Sequence, residues 1–277
     1  MYSVGIMTAT ILKGDCLEVM KGMPSKSIDC FLCDLPYGCL ADNRKKMPNI
    51  RRADNGNPLP RMNERITGCD WDVKIDLAEF WKQVKRLCKN DHTPVLMFCN
   101  MRFGNELINS NPDWFRYDLV WNKLSGTGFL LTNKMPMRSH EMIFVFSKKG
   151  AKYNRIDKKG DFNKSHSRGK TTQGNTNTYN GGKPLNLVEQ ADNSHSRCVL
   201  SVIEIDRCGR KKGNHPTAKP IDLYKWLIER YSNEGDTVLD PTFGSGNSGK
   251  ASTELNRKYI GIEKDTSFFW KAASMFL

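Results

Sequence analysis

Long apolar runs are missing from this chain of 277 residues, and with them any α-helical membrane span. No apolar signal segment opens the chain either. Nine cysteines without such a segment point to a reducing compartment, so an intracellular location is expected. Compact metal motifs are lacking too. Cys30-Phe31-Leu32-Cys33 lies inside an apolar run, where free Cys behaves as a small hydrophobe, so this pair reads as core. His195, Cys198 and Cys208, with His166 further off, fit no zinc-knuckle spacing, and no metal is expected. Internal repeats are not evident. Acidic residues are scarce: 30 Asp plus Glu stand against 43 Lys plus Arg, a net charge of +13 that favours a polyanionic partner over acidic small molecules. Charge by itself leaves a merely basic soluble protein equally open.

What is present is a core. With 38% apolar residues the chain suits one large domain or one domain carrying an insertion. Residues 27–33, "PVLMFC" at 94–99 and "DTVLD" at 236–240 are short and continuously apolar, the mark of strands buried on both faces. "LAEFWKQVKRLC" spaces Leu77, Phe80, Trp81, Val84, Leu87 and Cys88 at three- and four-residue steps, which predicts a helix with one apolar face. A second helix is predicted at 221–232, and "RYDLVWNK" and "HEMIFVFSKKG" add two strands. Such alternation predicts an α/β fold, a parallel sheet covered on both sides. Two stretches break the rhythm, the inserted loop 40–68 and the basic, glycine-rich 148–197. Loops of that length are functional or disordered, and their charge suits a phosphate backbone.

Near the end, "TVLDPTFGSGNSGKA" reads as a strand, a sharp turn and a helix start, with Gly244-Ser245-Gly246-Asn247-Ser248-Gly249 matching G-x-G-x-x-G. Glycines there let the backbone approach a ligand, and the helix N-terminus supplies unpaired N–H groups. Asp240 closes that strand, and the next strand, "YIGIE", ends in Glu263, a carboxylate suited to ribose hydroxyls. A nucleoside-containing cofactor follows. A carboxylate at the turn disfavours a pyrophosphate and favours S-adenosylmethionine, which carries an ammonium and a sulfonium.

The stretch "CDLPYG" ends the first buried strand with an acid, a proline and an aromatic ring. An exocyclic amine on a nucleobase needs acceptors for two N–H groups when buried. Asp34 is one acceptor. The carbonyl of Leu35, held extended by Pro36, is the other. Tyr37 would stack on the base, a contact worth ~1–3 kcal/mol. Alone, D-x-P-Y is an ordinary strand-ending turn; with the glycine loop it reads as a site at the carboxyl ends of neighbouring strands.

Together these motifs resemble the amino-group (N6-adenine or N4-cytosine) DNA methyltransferases in their permuted beta arrangement, with the catalytic motif first and the cofactor loop last. Asp34-Leu35-Pro36-Tyr37 is similar to the family's D-P-P-Y, with Leu in place of the usual Pro. "VLDPTFGSGN" resembles D-P-F-x-G-S-G-T at Asp240, Phe243, Gly244 and Gly246, with Ser245 and Asn247 in the same loop. "HPTAKP" resembles H-P-T-Q-K-P, which implies a place for Lys219 near the methionine carboxylate, and "LKGDCLEVM" resembles the opening G-D-C stretch, which implies Asp15 and Cys16 beside the cofactor adenine. The resemblance covers residues 10–40 and 200–265. It implies a Rossmann-like, mostly parallel seven-stranded sheet with a terminal antiparallel hairpin and helices on both faces. One catalytic domain, 1–277, would carry the loop 40–68 and a target-recognition region at 148–205.

The implied activity is methyl transfer from S-adenosylmethionine to N6 of an adenine flipped out of double-stranded DNA, flipping being required because a stacked amine cannot meet both acceptors. Asp at the first motif position leans to adenine and Ser to cytosine. Cytosine N4 is the alternative, with an RNA methyltransferase, a nicotinamide-dependent oxidoreductase and a catalytically inactive nucleic-acid-binding module further off. The family's members are often homodimers, and "NMRFGNELI" is a candidate helix for that contact. No nuclease or helicase motif is evident, so a restriction endonuclease would be a separate chain.

Overall fold

A strand that is apolar at every position must be covered on both faces, and the computed structural model arranges the chain that way. It describes residues 3–6, 9–38, 72–159, 196–207 and 218–276. The loop 40–68, most of 148–205, and His166, His195 and Cys208 lie outside the described residues.

In chain order the elements are β1 (Ser3–Ile6), β2 (Ala9–Lys13), α1 (Cys16–Lys21), β3 (Cys30–Cys33), α2 (Leu77–Leu87), β4 (Val95–Cys99) and α3 (Met101–Ser110), then β5 (Phe115–Thr127), β6 (Arg138–Phe146), β7 (Lys158–Lys159), β8 (Ser196–Arg197) and β9 (Val202–Glu204), and finally α4 (Ile221–Tyr231), β10 (Thr237–Asp240), α5 (Asn247–Glu254), β11 (Lys258–Glu263) and α6 (Thr266–Ala273). The main sheet runs β1-β2-β11-β10-β3-β4-β6-β5-β9. From β2 to β4 the strands are parallel; β6 is antiparallel to both β4 and β5. These seven inner strands make up the seven-stranded sheet that the resemblance implies, with β5 and β6 as the antiparallel hairpin. Two short strands extend the edges: β1 folds back on β2, and β9 pairs with β5, where the Trp121 indole N–H donates to the Ile205 carbonyl at 2.8 Å.

Alternation along the strands feeds two cores. Phe31, Cys33, Val95, Met97 and Cys99 pack with Val19, Met20, Phe80, Trp81, Val84, Leu87, Phe103 and Leu107 of α1, α2 and α3. Cys30, Leu32, Leu96 and Phe98 face the other way, onto Leu223, Tyr224, Leu227, Ile228, Ala251, Phe269 and Ala272 of α4, α5 and α6. Each fully buried Leu, Ile or Phe contributes ~1.5–3 kcal/mol, so the burial predicted for Cys30 and Cys33 belongs to a layered core. The α2 periodicity is realised as read. Asp76 caps it by accepting from the Ala78 and Glu79 N–H groups at 2.9 and 3.2 Å, and Arg86 near its end donates to the Met20 and Met23 carbonyls at the close of α1. That tie holds the end of α1 against α2. The suggested dimer helix, α3, turns Phe103, Gly104 and Leu107 inward, so its apolar face is used within the chain.

Two compact units emerge: Met1–Asn154 with Ser201–Leu277, and Arg155–Leu200. The second therefore lies inside the stretch 148–205 expected for target recognition. Residues up to Asn154 belong to the larger unit because the Asn154 amide donates to the Glu229 and Ser232 carbonyls at 3.0 and 2.8 Å, and those after Ser201 because β9 joins the sheet. In the smaller unit β7 pairs antiparallel with β8, and Arg155 forks onto Asp157. Among the described residues no helix is long and apolar enough to cross a membrane.

Candidate active site

The order of the sheet creates the site. From β3 the chain moves by α2 to β4 on one side, whereas from β10 it moves by α5 to β11 on the other, so β3 and β10 are neighbours from which the connections diverge. A crevice opens at the carboxyl ends of such a pair. Here it is a cavity of about 650 Å³ whose wall includes Asp34, Leu35, Pro36 and Tyr37 after β3, Thr242, Phe243, Gly244 and Ser245 after β10, and Glu263 at the end of β11. Asp15 and Cys16, at the start of α1, and Lys219, just before α4, complete it. The two motifs therefore share one cleft, as the strand-end reading requires.

The glycine turn is built to carry backbone into that cleft. Gly246 has φ +79, a left-handed conformation that costs other residues strain, and it opens α5. Gly249 lets α5 lie against β11: a Cβ there would stand 2.6 Å from the rings of Tyr259 and Phe276. Glu263 closes the turn by accepting from the Gly244 N–H at 3.0 Å and the Asp265 N–H at 2.8 Å. Burial raises its pKa against those bonds. A carboxylate accepts about four hydrogen bonds, so acceptor capacity remains toward the cavity.

Three expected cofactor residues do not reach the wall. Asp240 is 1% exposed and turned into the protein, where its carboxylate accepts from the Thr242 N–H at 3.0 Å and the Ser248 hydroxyl at 2.6 Å. Burial pushes its pKa up to about 7. Asp240, expected to neighbour the cofactor's cations, braces the turn from behind the wall, and the carboxylates in the cavity wall are Asp15, Asp34, Asp72, Asp76, Glu141, Glu263 and Asp265. Gly246 and Asn247 also sit behind the wall, the Asn247 amide donating to the Lys219 carbonyl at 2.7 Å. At the other end Asp15 caps α1 through the Leu17 N–H at 3.0 Å and meets the Lys264 ammonium at 3.1 Å. Burial opposes ionisation of Asp15, but the Lys264 and Leu17 bonds outweigh it and hold its pKa down. Cys16 is pushed up to about 12 by burial, so it lines the cavity as an apolar thiol.

Around Asp34 both carboxylate oxygens are engaged. Oδ1 accepts from the Tyr37 hydroxyl at 3.1 Å and Oδ2 from the Lys219 ammonium at 2.7 Å. Tyr37 stacks on Phe103, ring centroids 5.1 Å apart, so its ring is already ordered when it faces the cavity. Lys219, expected beside the methionine carboxylate, lines the cavity paired with Asp34 and lies 3.4 Å from Glu141, which in turn is 3.3 Å from Lys123. Burial alone would lower the Lys219 pKa; Asp34 and Glu141 raise it. The same logic holds Glu141 low, since Lys219 and Lys123 outweigh its burial.

Glu141 and Lys123 were not singled out from sequence, though a signal exists. Lys123 continues the inward row Leu119, Trp121, and Glu141 shares a row with Ile143 and Val145, so period-two phase places both charges on the buried face. Asp72, the last residue of "GCDWD", is buried and accepts from the Gly38 N–H at 2.9 Å, which fixes the chain just after Tyr37. Of the H-P-T-A-K-P stretch, Ala218, Lys219 and Pro220 are described.

A family model described as DNA methylase, of the N6/N4 methyltransferase type, matches residues 28–273. Among curated proteins, the chain is 28% identical over 277 positions to Type II methyltransferase M.HinfI of Haemophilus influenzae, covering 94% of this chain and 66% of that protein. It is 25% identical over 295 positions to Type II methyltransferase M.XycI of Xanthomonas campestris pv. cyanopsidis, covering 96% and 86%. The chain thus spans about two thirds of the first relative's length. Among solved structures it is similar in fold to the M1.HpyAVI–SAM complex (TM-score 0.55, 19% identity, 96% of this chain and 98% of that one) and to the PvuII DNA methyltransferase described as cytosine-N4-specific (TM-score 0.59, 17% identity, 98% and 86%).

Proposed function

The chain belongs to the N6/N4-type DNA methylase family, and from that membership we propose that it transfers a methyl group from S-adenosylmethionine to the exocyclic N6 of an adenine flipped out of double-stranded DNA. The observation that carries this reading is the single cavity lined both by Asp34-Leu35-Pro36-Tyr37 and by Phe243, Gly244 and Glu263. Its chemistry suits the cofactor: several carboxylates for a cationic ligand, a positive-φ glycine turn, and Glu263 acceptors for ribose hydroxyls.

S-adenosylmethionine, when bound, supplies an electrophilic methyl group on a sulfonium. The protein's part is to make a poor nucleophile reactive. Asp34 accepts one N–H of the target amine and the Leu35 carbonyl accepts the other, so the nitrogen pyramidalises and its lone pair points along the transfer line. Tyr37, held by Phe103, covers the face of the base. As the N–C bond formed and the methyl–sulfur bond broke, leaving its electron pair on sulfur as a neutral thioether, the amine would shed a proton, for which Asp34 is the acceptor in place. Positioning and electrostatics supply most of the acceleration.

Adenine is favoured because Asp stands at the first motif position. Cytosine N4 presents the same two hydrogens, and the fold likeness to a cytosine-N4-specific enzyme keeps it as the second reading. Methylating duplex DNA, digesting it to nucleosides and weighing the product decides: N6-methyladenine is expected, and N4-methylcytosine alone overturns the base assignment. The net charge of +13 supports a duplex partner. The Type II names of the relatives support a restriction–modification setting, with any endonuclease on a separate chain.

A further inference from the structure

Four buried or half-buried charges stand in alternating sign beside the cavity. Asp34 holds Lys219 at 2.7 Å, Lys219 lies 3.4 Å from Glu141, and Glu141 lies 3.3 Å from Lys123. The two lysine side chains are 5% and 6% exposed. The Lys219 ammonium also sits 5.1 Å above the Phe98 ring. A buried ion pair is a weak source of stability, because apolar residues of similar volume do as well or better. The neighbours of Lys123 and Glu141 along their strand rows are apolar, so the sheet does not need charge there. The charges call for another explanation.

Asp34 supplies it. With Tyr37 on Oδ1 and Lys219 on Oδ2, its carboxylate is occupied on both oxygens, yet the proposed function requires it to accept from an incoming amine. An ammonium that merely let go, with no second carboxylate near, would be left buried without a counter-charge, which is strongly unfavourable. The second carboxylate, already within reach, removes that cost.

We propose that Glu141 is a positioning residue that takes Lys219 over from Asp34 when the target amine arrives. The inference rests on the methyltransferase reading and deepens it: Asp34 exchanges a lysine N–H for a substrate N–H, Lys219 swings onto Glu141, and Lys123 keeps the row neutral throughout. No charge has to leave the protein or enter it. Lys219 is therefore an exchangeable counter-ion, and Glu141 its second seat.

The test uses the full chain with E141Q and E141D. The first readout is the single-turnover rate of methyl transfer to duplex DNA. The second is binding, in the presence of S-adenosylhomocysteine, of a duplex with purine in place of the target adenine, relative to the adenine duplex. In the native protein the amine strengthens binding. In E141Q, where Lys219 has only Asp34, the rate at saturating S-adenosylmethionine falls at least ~10-fold and the adenine-over-purine preference shrinks toward unity. E141D, with the charge kept on a shorter arm, lies between. If E141Q does not fold, E141D alone must lose at least ~3-fold in rate and part of the preference. An active native protein whose E141Q variant keeps both rate and preference overturns the exchange and leaves the methyltransferase reading standing. A native chain that methylates cytosine displaces only the base assignment, and the comparison is made with the cytosine analogue lacking its amino group. A native chain that methylates no DNA overturns the reading and the exchange together.

Discussion

The Thr242 hydroxyl donates to the main-chain carbonyl of Asp34 at 3.0 Å, joining residues 208 positions apart. The bond ties the end of β3 to the turn after β10 just where the acid and the glycines meet. The bond couples the two tips, and near-attack geometry of the kind needed for transfer depends on their relative placement.

Removing the carboxylate of Asp34 should separate chemistry from cofactor binding. D34A is expected to lower the transfer rate by ~10²–10⁴-fold, with S-adenosylmethionine still binding by calorimetry, because Glu263 and the glycine turn are untouched. Turnover near the native rate would remove Asp34 from the mechanism.

Asp240 gives a stability signature with a definite sign. Its folded pKa of about 7 stands above the ordinary aspartate value of 3.8, so it is the protonated form that the fold prefers. Its contribution is fully present below pH ~4 and is lost as pH rises through about 7. The stability of D240N relative to the native protein should therefore improve between pH 4 and pH 8, by an amount on the order of a few kcal/mol. Denaturant midpoints of the two proteins across that range measure it; parallel curves would mean that Asp240 stays ionised.

Gly249 tests the packing behind the turn. A Cβ at 2.6 Å from Tyr259 and Phe276 forces α5 off β11. G249A is expected to lose ~1–3 kcal/mol of stability and to weaken cofactor binding, since α5 carries the turn with it. A variant that binds the cofactor as tightly as native, read by calorimetry, would show that the helix has room to retreat.

Thiol reactivity should divide the cysteines by burial. Cys16, Cys88 and Cys99 are pushed up to about 12 by burial, and Cys30 and Cys33 also lie above the ordinary range, whereas Cys198 is exposed. Alkylation of the native protein at pH 8 followed by peptide mass mapping should label Cys198 within minutes and these five only after unfolding. Rapid labelling of Cys16 would mean that its cavity wall opens.

Much of this molecule is legible in its residues because short-range physics writes it there. Apolar runs without alternation announce doubly covered strands, the three- and four-residue steps of Leu77 to Leu87 announce α2, and glycines at Gly244 and Gly246 announce a turn that needs positive φ. The edge strands β1 and β9 are not legible: each is held by a neighbour already in place, and Val202–Glu204 becomes a strand only because β5 offers it a partner.

The sequence by itself determined at which end of which element the residues of the two motifs stand, since the side-chain period and backbone preferences are local. Only the tertiary structure decided how the charges are shared. Lys219 meets Asp34 across 185 residues, Glu141 reaches Lys123 through strand pairing and Lys219 from the stretch before α4, and Asp240 turns inward to Ser248 instead of outward to the cavity. A charged side chain's partner is set by which chain segments the sheet brings within about 4 Å, and by how little water remains there to screen them; no spacing along the chain records either.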